Sequence, residues 1–149
     1  MPKIAQLATY AALALLASAA AARSDPLAAI RIANDELKWE RAATGVDRAN
    51  MVGNERNPGI YLYRVRFPAG AKVKPHFHPD ERVVTVLSGT LYMGYGDRFD
   101  QAAMKALPAG SVWTEPAKQP HFVWAKDGEV VIQVFGANGP SGVTPVESK

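Results

Sequence analysis

The sequence predicts an all-β domain, a barrel or sandwich of short strands, on three observations. From residue 60 onward β-branched and aromatic residues gather in short runs, 60–67, 82–87 and 129–135 among them, a composition that suits a pleated, half-buried surface. Compact turn sequences divide the runs, namely Pro68-Ala69-Gly70, Ser88-Gly89 and Lys126-Asp127-Gly128, whose Pro, Gly and Asp supply turn backbone. The runs also follow one another closely, as strands do in sandwiches and barrels. With 149 residues, 48% of them hydrophobic, the chain suits a single domain with one core.

In chain order, residues 1–22 read as a secretory signal peptide. Lys3 gives a positive start, residues 4–16 are apolar and rich in Ala and Leu, and 18–22 are small residues suited to cleavage. An alanine-heavy run is marginal for spanning a bilayer, so cleavage near Ala22 is expected in preference to an uncleaved anchor. The mature protein is then periplasmic or secreted, with no membrane contact after cleavage. Residues 23–58 read as an N-terminal arm: 25–34 as a short helix or an irregular segment, 37–41 as a short strand, and 42–58, rich in Gly, Asn, Asp and Arg, as loop. Residues 59–136 read as the barrel, with strands at 60–67, 72–77, 82–87, 90–95, 111–115, 120–124 and 129–135. The stretch 96–109 breaks the rhythm and reads as an excursion with one helical turn, which would cover the barrel mouth, make a subunit contact or form a plain surface loop. The tail 137–149, rich in Gly, Pro and Ser, reads as mobile.

The chain has three histidines, and their placement is the strongest functional signal. His76 and His78 sit two apart, so on an extended strand their side chains share one face. His121 follows far downstream, in G-S-V-W-T-E-P-A-K-Q-P-H. Gly70 lies six before His76 and Gly89 closes that segment, while Gly110 and Pro116 precede His121. In order and spacing these residues resemble the two motifs of the cupins, small double-stranded β-helices of the jelly-roll kind. The resemblance covers about residues 60–135. It implies a metal site on His76, His78 and His121, a homodimer, and dioxygenase, isomerase or lyase chemistry. Three neutral imidazoles suit Zn, Fe, Mn, Ni or Cu as a divalent transition metal cofactor and leave coordination positions open for water or substrate.

The chain departs from the motifs at three places. Lys118 replaces a glycine, Ala125 replaces an asparagine, and Arg82 stands where the family has its acidic ligand, with Glu81 one position too early. A one-residue offset turns a strand side chain to the opposite face, so Glu81 would coordinate only through a bulge. Arg82 shares parity with Val84 and Val86 and is expected inside the barrel, where a guanidinium needs a partner. The candidates are Glu115, Glu81 or an anionic group of a ligand, for which Arg82 would be a substrate-binding anchor or catalytic group. Glu115 shares parity with Trp113; if inward, it is a candidate general base or substitute metal ligand. Trp113 is a candidate for lining a substrate pocket, although aromatic residues favour sheets whatever the function.

Composition narrows the rest. Lys and Arg number 17 against 14 Asp and Glu, and removing Lys3 with the signal leaves the mature charge near +2, scattered along the chain, which argues against a nucleic-acid partner. The absence of cysteine excludes disulfides and thiolate metal sites, and no nucleophile elbow or phosphate-binding glycine loop appears. A metal-dependent enzyme acting on a small organic molecule leads. The alternative is a non-catalytic barrel holding a small anionic or sugar ligand.

Overall fold

Eleven strands, the longer of them alternating buried and exposed side chains, build two antiparallel sheets facing each other across one core. The computed structural model describes residues 26–147; the expected signal peptide lies outside them. The strands are β1 (Glu40–Arg41), β2 (Asp47–Val52), β3 (Gly59–Phe67), β4 (Lys72–Phe77), β5 (Arg82–Ser88), β6 (Thr90–Tyr95), β7 (Lys105–Pro108), β8 (Val112–Glu115), β9 (His121–Trp124), β10 (Val130–Gly139) and β11 (Thr144–Pro145). One sheet runs β1-β2-β3-β10-β5-β8 and the other β11-β4-β9-β6-β7, which makes a jelly-roll barrel of the expected all-β class. Among the described residues no helix is long and apolar enough to cross a membrane.

The core lies between the sheets. Tyr61, Tyr63 and Phe67 of β3, Val84 and Val86 of β5, and Val130, Ile132 and Val134 of β10 meet Leu91 and Met93 of β6 and Val123 of β9. Each set occupies alternate positions of its strand, the period-two pattern that turns one face of a sheet inward.

Three segments are more regular than the sequence predicts. The expected loop 42–58 contains β2, whose charged side chains are matched by tertiary partners. Asp47 pairs with Arg41 at 2.6 Å and Arg66 at 2.9 Å, and the Arg48 guanidinium lies 3.5 Å from the Tyr63 ring centre, so a polar strand loses little by pairing. The excursion holds the expected helical turn, at Gln101–Ala103, but continues into β7. It also carries Phe99 to 5.2 Å from Phe122 and shields that ring on the outer face of its sheet. The tail is not loose over its described length: β10 runs on to Gly139, and β11 pairs with β4 so that Pro145 faces His76.

Candidate metal centre

Strand register brings the histidines together. His76 of β4 lies opposite His121 of β9, and His78 follows two residues after His76. The ring centres are 4.4 Å apart for His76 and His121, 5.0 Å for His76 and His78, and 5.2 Å for His78 and His121. One nitrogen from each ring lies within 4.8 Å of the others.

Backbone carbonyls set the tautomers. His76 Nδ1 is 2.9 Å from Lys74 O, His78 Nδ1 is 2.5 Å from Gly142 O, and His121 Nδ1 is 3.1 Å from Gln119 O. A carbonyl oxygen only accepts, so each Nδ1 carries the proton and donates it, and in the neutral ring Nε2 is left with a bare lone pair. The Nε2 atoms of His78 and His121 are buried and make no hydrogen bond. Burial holds the His76 imidazole down to about 4, with His121 beside it as the next cause. Burial and then the Arg82 charge hold His78 down to about 3. Both rings are therefore neutral at pH 7, the form that coordinates a metal.

The facing sheet contributes charge. Arg82 of β5 pairs in register with Glu115 of β8, and both are inward, 6% and 4% exposed. Arg82 donates from Nε to Glu115 Oε2 at 2.7 Å, donates to the same oxygen from Nη2, and donates from Nη1 to the Tyr63 hydroxyl at 2.9 Å. Trp113 Nε1 donates to Glu115 Oε1 at 3.2 Å. Burial alone would raise the Glu115 carboxyl, but the contact with His121 and the guanidinium of Arg82 outweigh it and hold the group well below the usual carboxylate range.

The sequence-predicted residues thus fall into two groups. His76, His78, His121, Arg82 and Glu115 converge. Glu81, just before β5, is exposed and has no part in the site. Of the roles open to Arg82, the internal pair with Glu115 is the arrangement found, so its fork is turned to protein groups and not toward a ligand. Trp113 is a core residue that supports Glu115. Sequence reasoning missed Lys74, Gln119 and Gly142, whose carbonyls orient the three rings; a carbonyl carries no side-chain signal.

Comparison with known proteins agrees with the fold. A family model described as the cupin domain matches residues 63–135. The chain belongs to the cupin superfamily. Among curated proteins its sequence has no significant match. Of solved structures, the polyketide cyclase RemF from Streptomyces resistomycificus is similar, with a TM-score of 0.68 and 17% identity over 82% of this chain and 88% of that one. An RmlC-like cupin from Shewanella frigidimarina matches with a TM-score of 0.62 and 17% identity over 76% and 94%. KdgF from Halomonas sp. matches with a TM-score of 0.60 and 21% identity over 75% and 96%. At such identities the likeness is one of fold.

Within this cupin, Lys118 occupies the motif glycine with φ of 62° and donates its backbone N–H to His78 O at 2.7 Å. A side chain in that left-handed conformation costs about 1 kcal/mol relative to glycine. Lys118→Gly is expected to stabilise the protein by about 0.5–1 kcal/mol, read as a rise of a few degrees in Tm; a lower Tm would show that the lysine side chain contributes more than its backbone costs.

Proposed function

We propose that this cupin is an exported protein that holds one divalent transition metal ion on Nε2 of His76, His78 and His121 and uses it on a small organic substrate. The observation that supports the reading best is the set of three rings whose Nδ1 atoms are tied to carbonyls, which points the chemistry at Nε2. Tying the distal nitrogen to a carbonyl fixes the tautomer and ring orientation of a metal-ligating histidine. The donor set fits the group, since three neutral imidazoles suit Zn, Fe, Mn, Ni or Cu. Such an ion supplies Lewis acidity or oxygen activation at its open positions.

The chain's own residues do the rest. His76, partly exposed while His78 and His121 are buried, marks the side from which a small molecule reaches the site. Arg82, itself bonded to the Tyr63 hydroxyl, and Trp113 hold the Glu115 carboxylate at the inner end. Solved structures of this fold include oxidase, dioxygenase, cyclase and isomerase enzymes, which favours a catalyst. A non-catalytic barrel anchored on Arg82 is the weaker reading, because that guanidinium already serves Glu115 and Tyr63. The proposal includes a homodimer, for which Val83, Leu87, Val112 and Phe135, exposed on the outer face of the six-stranded sheet, offer an apolar surface.

Elemental analysis of protein purified from its native host tests the metal reading. One transition metal per chain is expected, and metal-free protein that also takes up none on dialysis against zinc, iron, manganese, nickel and copper would refute it. Export has its own check: mass spectrometry of the native protein should find a mature start near Arg23, and intact Met1 material in the soluble cytoplasm would exclude cleavage.

A further inference from the structure

We infer that Glu115 is the fourth protein ligand of the metal, its carboxylate arriving from β8 because Arg82 fills the position on β5 from which the family supplies its own. The inference rests on the three-histidine reading. Glu115 Oε1 lies 3.2 Å from His121 Nε2, and Oε2 lies 3.7 Å from His78 Nε2. Two ligands each about 2.0–2.2 Å from one ion, at angles near 90–110°, stand about 2.8–3.6 Å apart. The first contact falls within that interval, so Oε1 and His121 Nε2 already stand at the spacing of two ligands of one ion; the second, made by the other oxygen, lies just outside it.

The chemistry of the contact points the same way. The Nε2 atoms of His78 and His121 both face the Glu115 carboxylate, buried and with no hydrogen-bond partner of their own. Buried nitrogens and a carboxylate that face one another need a proton or a cation between them. A divalent cation fills that need for both rings and the carboxylate at once. Oε2 is committed to Arg82, while Oε1 accepts one hydrogen bond, from Trp113, and keeps a further lone pair. Oε1 is therefore the ligand oxygen, and Arg82 with Trp113 positions it. The exchange of roles is written in the register: Arg82 and Glu115 are direct cross-strand partners, so an acidic side chain moved one strand over reaches the same cavity.

The test uses zinc alone. In chelator competition, Glu115→Gln, which keeps the shape of the side chain and one acceptor oxygen for Arg82 while its amide nitrogen replaces the ligand oxygen, is expected to weaken zinc by about a hundredfold. In parent protein carrying 13C-glutamate, zinc is expected to shift one glutamate carboxylate stretch in the infrared difference spectrum. The second measurement needs no variant, so it stands even where Glu115→Gln does not fold. Zinc affinity in Glu115→Gln within tenfold of the parent overturns the inference. So does an unmoved carboxylate band in zinc-loaded parent, whatever the variant does, since a residue that only positions a histidine would weaken zinc without moving the band. Both of those results leave the three-histidine site standing, whereas a parent that takes up no zinc removes that site and the inference with it.

Discussion

Arg82→Ala is expected to cost about 3–5 kcal/mol of folding stability at pH 7, because it leaves the Glu115 carboxylate buried, ionised and without its cation. For a domain of this size that is a fall of about 10–20 °C in Tm. Truncation also takes a donor from the Tyr63 hydroxyl, which adds to the loss. The pH dependence follows from the direction of the Glu115 shift. Its folded value is depressed, so the stability it contributes is complete above the unfolded carboxyl value of about 4.3 and is lost as pH falls through the folded value. In Arg82→Ala the depression is relieved, so the gap between variant and parent should be widest near neutrality and shrink below about pH 4, where the unfolded carboxyl is itself protonated. Urea denaturation of metal-free protein at pH 7 and pH 4 measures both. Replacing the pair together, Arg82→Met with Glu115→Leu, should recover most of the stability, since apolar groups of similar volume replace buried ion pairs at little cost. A parent-like melt for Arg82→Ala would mean that Glu115 is not ionised in the fold.

His121→Ala is expected to weaken zinc by about a hundredfold or more, the share of one ligand, roughly 3 kcal/mol, in a zinc site worth about 10–16 kcal/mol. His76→Ala should do the same with less disturbance of the core, since His76 is only partly buried. Acid should dislodge the metal late. Protons compete with a metal for the neutral imidazole, and the folded values of about 4 for His76 and about 3 for His78 move that competition below the ordinary histidine range near 6.5. Chelator competition should therefore show no proton competition from His76 or His78 between pH 7.5 and 5.5. For the metal-free fold the same shifts have the opposite use: the rings are kept neutral, so their contribution is complete above about 6.5 and is lost as pH falls through the folded values. A His121→Ala protein that binds zinc as tightly as the parent would place the metal elsewhere.

How much was legible depended on whether the determining interaction was local. The all-β class, the main strands from residue 60 and the inward face of Arg82, Val84 and Val86 follow from period-two alternation and turn chemistry, which act over a few residues. The shared face of His76 and His78, and their match with His121, were legible as spacing. Strand β2 was not, because Asp47 and Arg48 look like loop until Arg41 on the neighbouring strand and Arg66 and Tyr63, more distant in sequence, neutralise and cover them.

The sequence by itself determined the class of fold, the three imidazoles and the substitution of Arg82 at an acidic position, all of which are properties of residue type and short spacing. Only the tertiary structure decided that Arg82 answers Glu115 and not a ligand, that Glu81 lies exposed, and that the tail returns so Gly142 orients His78. The physical reason is that these outcomes depend on cross-strand register and on burial. A buried guanidinium must find an anion, and which one it finds is set by the strand folded beside it, β8 against β5, across 33 residues of chain.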